Sequence, residues 1–279
     1  VDNFLTKYLK KQINSGLIIP MKYGILNGGK KIRSTIIINT GKIFNLKIDQ
    51  LLNVCAAVEC IHSYSLIHDD LPCMDDDKIR RGKPSAHIKF GESTAVLAGN
   101  SLLTLGFEIL SEKNFYIKDE KKNRLIKTLS LCSGHSGIAG GQQLDLSFEK
   151  KSKSLKQILD MQRKKTGKLF EFCCLAPAII AKKSIKTQKE MSMVGAELGL
   201  LFQIADDLLD IKGNKKNTGK PVKKDKKKGK STLIKLFGYE KTLGFALDRK
   251  KMIINKLKKY GKKSNKLIEV SDFILNRSF

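Results

Sequence analysis

The sequence predicts an all-α domain of roughly ten helices, on three observations. Proline is scarce, at five in 279 residues, too few for a strand-and-turn architecture of this length. Apolar residues recur at three- and four-residue spacing over long stretches, while period-two alternation is hard to find. No shift in composition marks a second domain, so residues 1–279 read as one.

The first periodic segment covers 31–43. The next, 47–69, reads LKIDQLLNVCAAVECIHSYSLIH and carries a broad apolar stripe through Leu51, Leu52, Cys55, Val58, Ile61, Ser65 and Ile67. Residues 92–112 begin ESTAVLAGNSLLTLGFEIL, and further helices are expected over 121–138, 155–181, 188–211, 233–256 and 264–276. One segment departs from the pattern. Residues 212–230, KGNKKNTGKPVKKDKKKGK, hold ten lysines, three glycines and a proline, and predict a mobile basic loop. That loop is either a solvated linker or a cationic lid over an anion.

Composition narrows the function classes. Hydrophobic residues make up 41% and charged residues 29%, the balance of a soluble globular chain. The longest uncharged runs fall short of a bilayer span, and the opening VDNFLTKYLKKQ does not read as a secretory leader. Six cysteines without C-x-x-C or zinc-type spacing fit a reducing cytoplasm. The net charge of +27 raises nucleic acid as a partner, but 47 of the 54 basic residues are scattered lysines. Base and phosphate forks favour arginine. No nucleic-acid motif is present, so a solvated basic surface is the simpler reading.

The chemistry concentrates in two acidic clusters. HDDLPCMDDDKIRRGKP, residues 68–84, sets Asp69, Asp70, Asp75, Asp76 and Asp77 against Lys78, Arg80, Arg81 and Lys83. DDLLD, residues 206–210, puts Asp206 and Asp210 one turn apart on a single helix face. Each cluster ends an apolar helix, where unrelieved repulsion between carboxylates is costly. Mg²⁺ resolves it, since this cation takes one or two carboxylates and completes its shell with water and substrate phosphates. Nearby Arg and Lys then bind the remaining phosphate oxygens. A metal–diphosphate complex presents both signs at once.

Asp69 and Asp75 cannot be a simple helical pair, because six residues on an ideal helix separate them by roughly 120°. Pro72 between them ends or kinks the helix, so Asp75 rejoins Asp69 only through a local bend. Upstream, GGKKIRS (Gly28 to Ser34) would let backbone N–H groups and cations approach a phosphate. It reads equally as helix punctuation. His62 lies seven residues before Asp69 on nearly the same face, as a site residue or a core histidine. GGQQLDL (140–146) and KKTGKLFE (164–171) are open to the same two readings.

Taken in order, GGKKIRS, HDDLPCMDDDKIRRGKP, GGQQLDL, KTG, FQIADDLLD and GKPVKKDKKKGKS resemble the short-chain trans-prenyl diphosphate synthases, above all those of bacteria that make farnesyl diphosphate. The resemblance implies an isoprenoid-synthase bundle around a central cavity, homodimeric, without stable membrane insertion. It implies Asp69 and Asp75 as ligands of a pair of Mg²⁺, and Asp206, helped by Asp210, as ligand of a third. Arg80, Lys165, Lys220 and Lys230 are then expected to hold the allylic diphosphate. Gly29, Lys30, Arg33, His62 and Arg81 hold isopentenyl diphosphate, and Lys165, Thr166 and Gln203 line the cationic centre. Tyr64, with Ser65, is expected to stop chain growth near fifteen carbons. A geranyl or geranylgeranyl diphosphate synthase is the alternative within the family. A class I terpene cyclase is disfavoured by DDLLD, because such enzymes use mixed ligands there. The chain departs from the family at Lys31 and Ser34, where Arg and Pro are frequent, and at STLIKLFG, which lacks the usual Thr-Tyr-Pro.

Overall fold

The computed structural model describes residues 1–12, 15–212 and 232–276. They form two compact units, Val1–Ile38 with Lys47–Ile126, and Asn39–Leu46 with Lys127–Phe279. The basic segment beyond Lys212, with Lys220 and Lys230, lies outside the described residues.

The first unit contains α1 (Asp2–Lys11), α2 (Ile18–Leu26), the start of α3 (Ile32–Ile43), α4 (Leu52–Asp69), α5 (Ala86–Phe90), α6 (Glu92–Ser111) and the start of α7 (Asp119–Ser133). Its core is α4 against α6. α6 buries Ala95, Ala98, Gly99, Leu102, Leu105, Gly106, Ile109 and Leu110, a stripe at three- and four-residue spacing. At Gly106 a side chain would crowd Ile61 and the Ala57 carbonyl, so the bare Cα lets α4 approach. Asn53 Nδ2 donates to Ile109 O at 3.0 Å and ties the two helices. By length and composition α6 is the one described helix that could cross a membrane. Here its most apolar stripe is packed inside the unit.

The second unit contains the end of α7, α8 (Ile138–Ser147), α9 (Leu155–Gln162), α10 (Lys168–Ile180), α11 (Ile185–Lys212), α12 (Leu233–Phe237), α13 (Tyr239–Leu257) and α14 (Asn265–Asn276). α10 and α11 pack along each other. Gly195 and Gly199 make this possible: a Cβ at 195 would strike the Phe170 carbonyl, and one at 199 the Gly167 Cα.

Several expected helices are interrupted, each for a local reason. The helix expected over 121–138 breaks after Ser133, at the glycines of SGHSG. Segment 233–256 divides at Gly238, whose φ of 78° lies in the left-handed region. Segment 155–181 stays helical but passes through a π turn at Arg163–Gly167. α4 begins at Leu52 rather than 47, after a 3₁₀ turn at Ile48–Gln50. The only described sheet is a two-stranded hairpin, β1 (Ile79–Arg80) with β2 (Lys83–Pro84). Alternation cannot show over two-residue strands.

Candidate active site

In the first unit the acidic helix end folds back on itself. After Asp69 the chain turns at Pro72, and the Asp75 amide donates to Asp69 O at 2.8 Å. Asp76 N reaches Leu71 O at 3.0 Å and Asp77 N reaches Asp70 O at 3.1 Å. This is the bend that the six-residue spacing requires. Asp76 takes a positive φ of 49° to complete it.

The five aspartates separate into two kinds. Asp70 and Asp77 are buried, at 2% and 4% exposure, while Asp69 and Asp75 are half-buried. Arg80 Nε donates to both Asp70 carboxylate oxygens at 3.0 Å, its Nη2 also meets Asp70, and Asp77 Oδ2 lies 3.6 Å away. Arg80 is therefore first the counter-ion of two inward carboxylates. Sequence reasoning missed that pairing, although an Asp-rich turn ten residues before an Arg was a signal.

Arg81 is set by the hairpin. Arg81 and Gly82 both have positive φ, 53° and 75°, the backbone of a type I′ turn. The hairpin is moored by Tyr23, whose hydroxyl donates to Pro84 O at 2.6 Å. The Arg81 guanidinium lies on Gly29, where any side chain would meet it at 2.7 Å, and it bonds the Gly28 carbonyl. Gly28, Gly29 and Lys31 all have positive φ, so the GGKK turn is a left-handed loop leading into α3. Exposed Lys30 sits on that loop, and half-buried Arg33 on the first turn of α3.

Around His62 the cations gather. Its pKa is pushed well below the usual imidazole value, first by burial and then by Arg33, Arg81, Lys31 and Arg80. The departures at Lys31 and Ser34 also have a place. Ser34 Oγ donates to Glu59 Oε1 at 2.7 Å, and Lys31 Nζ lies 3.6 Å from Glu59 Oε2. Glu59, 2% exposed, was not singled out from the sequence. Tyr64 is buried beside α6, and Ser65 Oγ donates to its own helix at His62 O, 2.9 Å.

In the second unit the π turn organises the site. An extra residue per turn re-aims the side chains that follow, which is why such turns recur at functional sites. Gly141 presses against the Lys165 backbone and Gly140 against the His135 carbonyl, each so closely that no Cβ fits, which explains the glycine pair in GGQQLDL. Lys165 Nζ donates to Asp145 Oδ2 at 2.6 Å. Thr166 Oγ1 donates to Gln203 Oε1 at 3.0 Å. Asp207 holds that amide in place: it accepts from Gln203 Nε2 and from Gln162 Nε2, each at 3.0 Å. Gln162 and the buried role of Asp207 were missed by sequence reasoning. Asp206 and Asp210 lie half-buried on the adjoining strip of α11.

Asp207→Asn should lower kcat about 10- to 100-fold, since one hydrogen bond to a charged group is worth ~1.5–3 kcal/mol and each 1.36 kcal/mol is a decade. The asparagine can turn an amide N–H donor toward Gln203, whose own amide then flips away from Thr166. Steady-state kinetics giving an unchanged kcat would show that the network does not position the site.

The donor set fits Mg²⁺. Asp69 and Asp75 in the first unit, and Asp206 and Asp210 in the second, offer only carboxylate oxygens and are half-buried. Among the described residues no three His, Cys, Asp or Glu side chains form a closed cage. A hard cation that completes its shell with water and substrate oxygens needs none.

Fold and site together define a class: all-α enzymes that handle diphosphates through carboxylate-bound metal. The chain belongs to the polyprenyl synthetase family, which matches residues 15–272. It is 38% identical over 270 residues to farnesyl diphosphate synthase of Escherichia coli K12, covering 95% of this chain and 90% of that one. An FPP/GFPP synthase of Zymomonas mobilis superposes with a TM-score of 0.89 at 35% identity, covering 98% and 94%. A geranyltransferase of Helicobacter pylori, solved with magnesium and isoprenyl diphosphate, gives 0.85 at 31%, covering 98% and 93%.

Proposed function

We propose that this chain is a farnesyl diphosphate synthase, joining isopentenyl diphosphate head to tail with dimethylallyl and then geranyl diphosphate. The observation that carries the reading is the return of Asp75 to Asp69 across Pro72, which makes a substrate-metal platform of a helix end. One family match spans both compact units, which supports their action as a single catalytic domain.

Magnesium, three ions per site when bound, would supply positive charge to the allylic diphosphate oxygens. Asp69 and Asp75 would hold metal at the end of α4, and Asp206 with Asp210 would hold it on α11. Arg80 and Lys165 add fixed positive charge at the diphosphate, joined by Lys220 and Lys230. Such preorganised charge is the largest contribution in most enzymes. Isopentenyl diphosphate is held by Gly29, Lys30, Arg33, His62 and Arg81. The crowded cations that depress His62 support this, because an arriving dianion relieves their repulsion. Thr166, Gln203 and the Lys165 region line the allylic cation, and apolar walls exclude the water that would quench it. The isopentenyl double bond attacks the cation, and the lost proton goes to the departing diphosphate. Tyr64, with Ser65, blocks elongation beyond fifteen carbons.

Incubation with Mg²⁺, isopentenyl diphosphate and geranyl diphosphate should yield farnesyl diphosphate, and EDTA should abolish it. No metal-dependent turnover would refute the assignment. A twenty-carbon product by mass spectrometry would favour the geranylgeranyl alternative.

The outward stripe of α6 supports a homodimer. Val96 and Leu97 are exposed, and Leu103 and Phe107 continue the row half-buried. Light scattering should read twice 31.2 kDa; a monomer at micromolar concentration would refute the dimer. Six free cysteines, five of them buried, support a reducing cytoplasm, and the buried stripe of α6 supports a protein that does not insert in membranes. The scattered lysines support no nucleic-acid partner.

A further inference from the structure

Tyr64 does not stand alone on α4. One turn later the His68 ring meets it edge to face, with centroids 5.6 Å apart and planes at 85°. His68 is itself seated on α6. Its Nε2 lies 3.1 Å from the Val96 carbonyl, which can only accept, so Nε2 carries the proton and donates. On the same stretch of α6 the imidazole rests over Gly99, where any Cβ would fall inside the ring at Nε2 and Cδ2. Gly99 is helical and buried, so its glycine serves space rather than backbone conformation. A carbonyl and a bare Cα on α6 thus form a socket for the imidazole, and the imidazole forms one wall for the Tyr64 ring.

We propose that His68, seated between Val96 O and Gly99, is the positioning residue that fixes the Tyr64 ring, so that product length is set by this socket on α6 as well as by Tyr64. The proposal rests on the reading that Tyr64 blocks elongation. A growing isoprenoid presses on the ring, and the ring resists only while its rotamer is held. An edge-on ring pair of this kind shifts populations about two- to tenfold. Loss of the wall lets the tyrosine swing and admits another five-carbon unit.

The test compares Tyr64→Ala, His68→Ala, Gly99→Ala and the double variant Tyr64→Ala/His68→Ala. Products from excess isopentenyl diphosphate and geranyl diphosphate are sized by mass spectrometry. His68→Ala and Gly99→Ala should raise the ratio of twenty- to fifteen-carbon product about two- to tenfold. The double variant should match Tyr64→Ala, because His68 acts through that ring. A merely structural role would slow both condensations without moving the ratio. If Tyr64→Ala lengthens the product and His68→Ala does not, the socket is refuted and the elongation block stands. Additive lengthening in the double variant also overturns it, by making His68 a direct barrier. If Tyr64→Ala itself leaves the product at fifteen carbons, the block falls, and the socket with it. Should Gly99→Ala fail to fold by circular dichroism, His68→Ala and the double variant decide the matter.

Discussion

Asp69→Ala should lower product formation by about a thousandfold, the loss found when one preorganised charge-stabilising group is removed from a reacting oxyanion. The expectation follows from where this carboxylate sits. Asp69 is half-buried at the end of α4, and its carbonyl already anchors the returning Asp75 amide at 2.8 Å. Truncating the side chain leaves that backbone bond in place, so the turn survives while the proposed metal platform is lost. Thermal unfolding should therefore stay close to wild type while the Mg²⁺ concentration for half-maximal activity rises. Turnover within tenfold of wild type would remove Asp69 from the site.

Its neighbour should behave in the opposite way. Asp70→Ala is expected to destabilise the fold by about 3 kcal/mol, the lower end for breaking a buried ion pair from one side. The Asp70 side chain is 3% exposed and the Arg80 side chain 16%. Without Asp70 the guanidinium keeps only Asp77, at 3.6 Å. Denaturant unfolding measures the loss directly. Arg80→Met in the Asp70→Ala background should recover more than half of it, because the stranded charge is then gone. Activity stays low in that double variant, since Arg80 also faces the allylic diphosphate in the proposed mechanism. An Asp70→Ala protein as stable as wild type would show that the pair contributes nothing to the fold.

These adjacent residues mark how far the sequence could be read. Motif spacing singled out Asp69, Asp75, Asp206 and Asp210, and all four are half-buried. The same letters could not show that Asp70, Asp77 and Asp207 turn inward. A run of aspartates looks uniform until Arg80, Gln162 and Gln203 arrive as partners from other turns of chain. Glu59 escaped notice for the same reason: its partners Lys31 and Ser34 lie 25 or more residues upstream.

The helical class was determined by the sequence alone, because burial of an amphipathic face writes a local three- and four-residue rhythm that needs no partner to be seen. The breaks at SGHSG and Gly238 were written there too, in glycines. Tertiary structure alone decided the return of Asp75 across Pro72, the left-handed turn that aims Arg81 at Gly29, and the π turn that sets Thr166 on Gln203. Each of these is a backbone path held by contacts distant in sequence, and periodicity reports which face of a helix is buried, not what it meets.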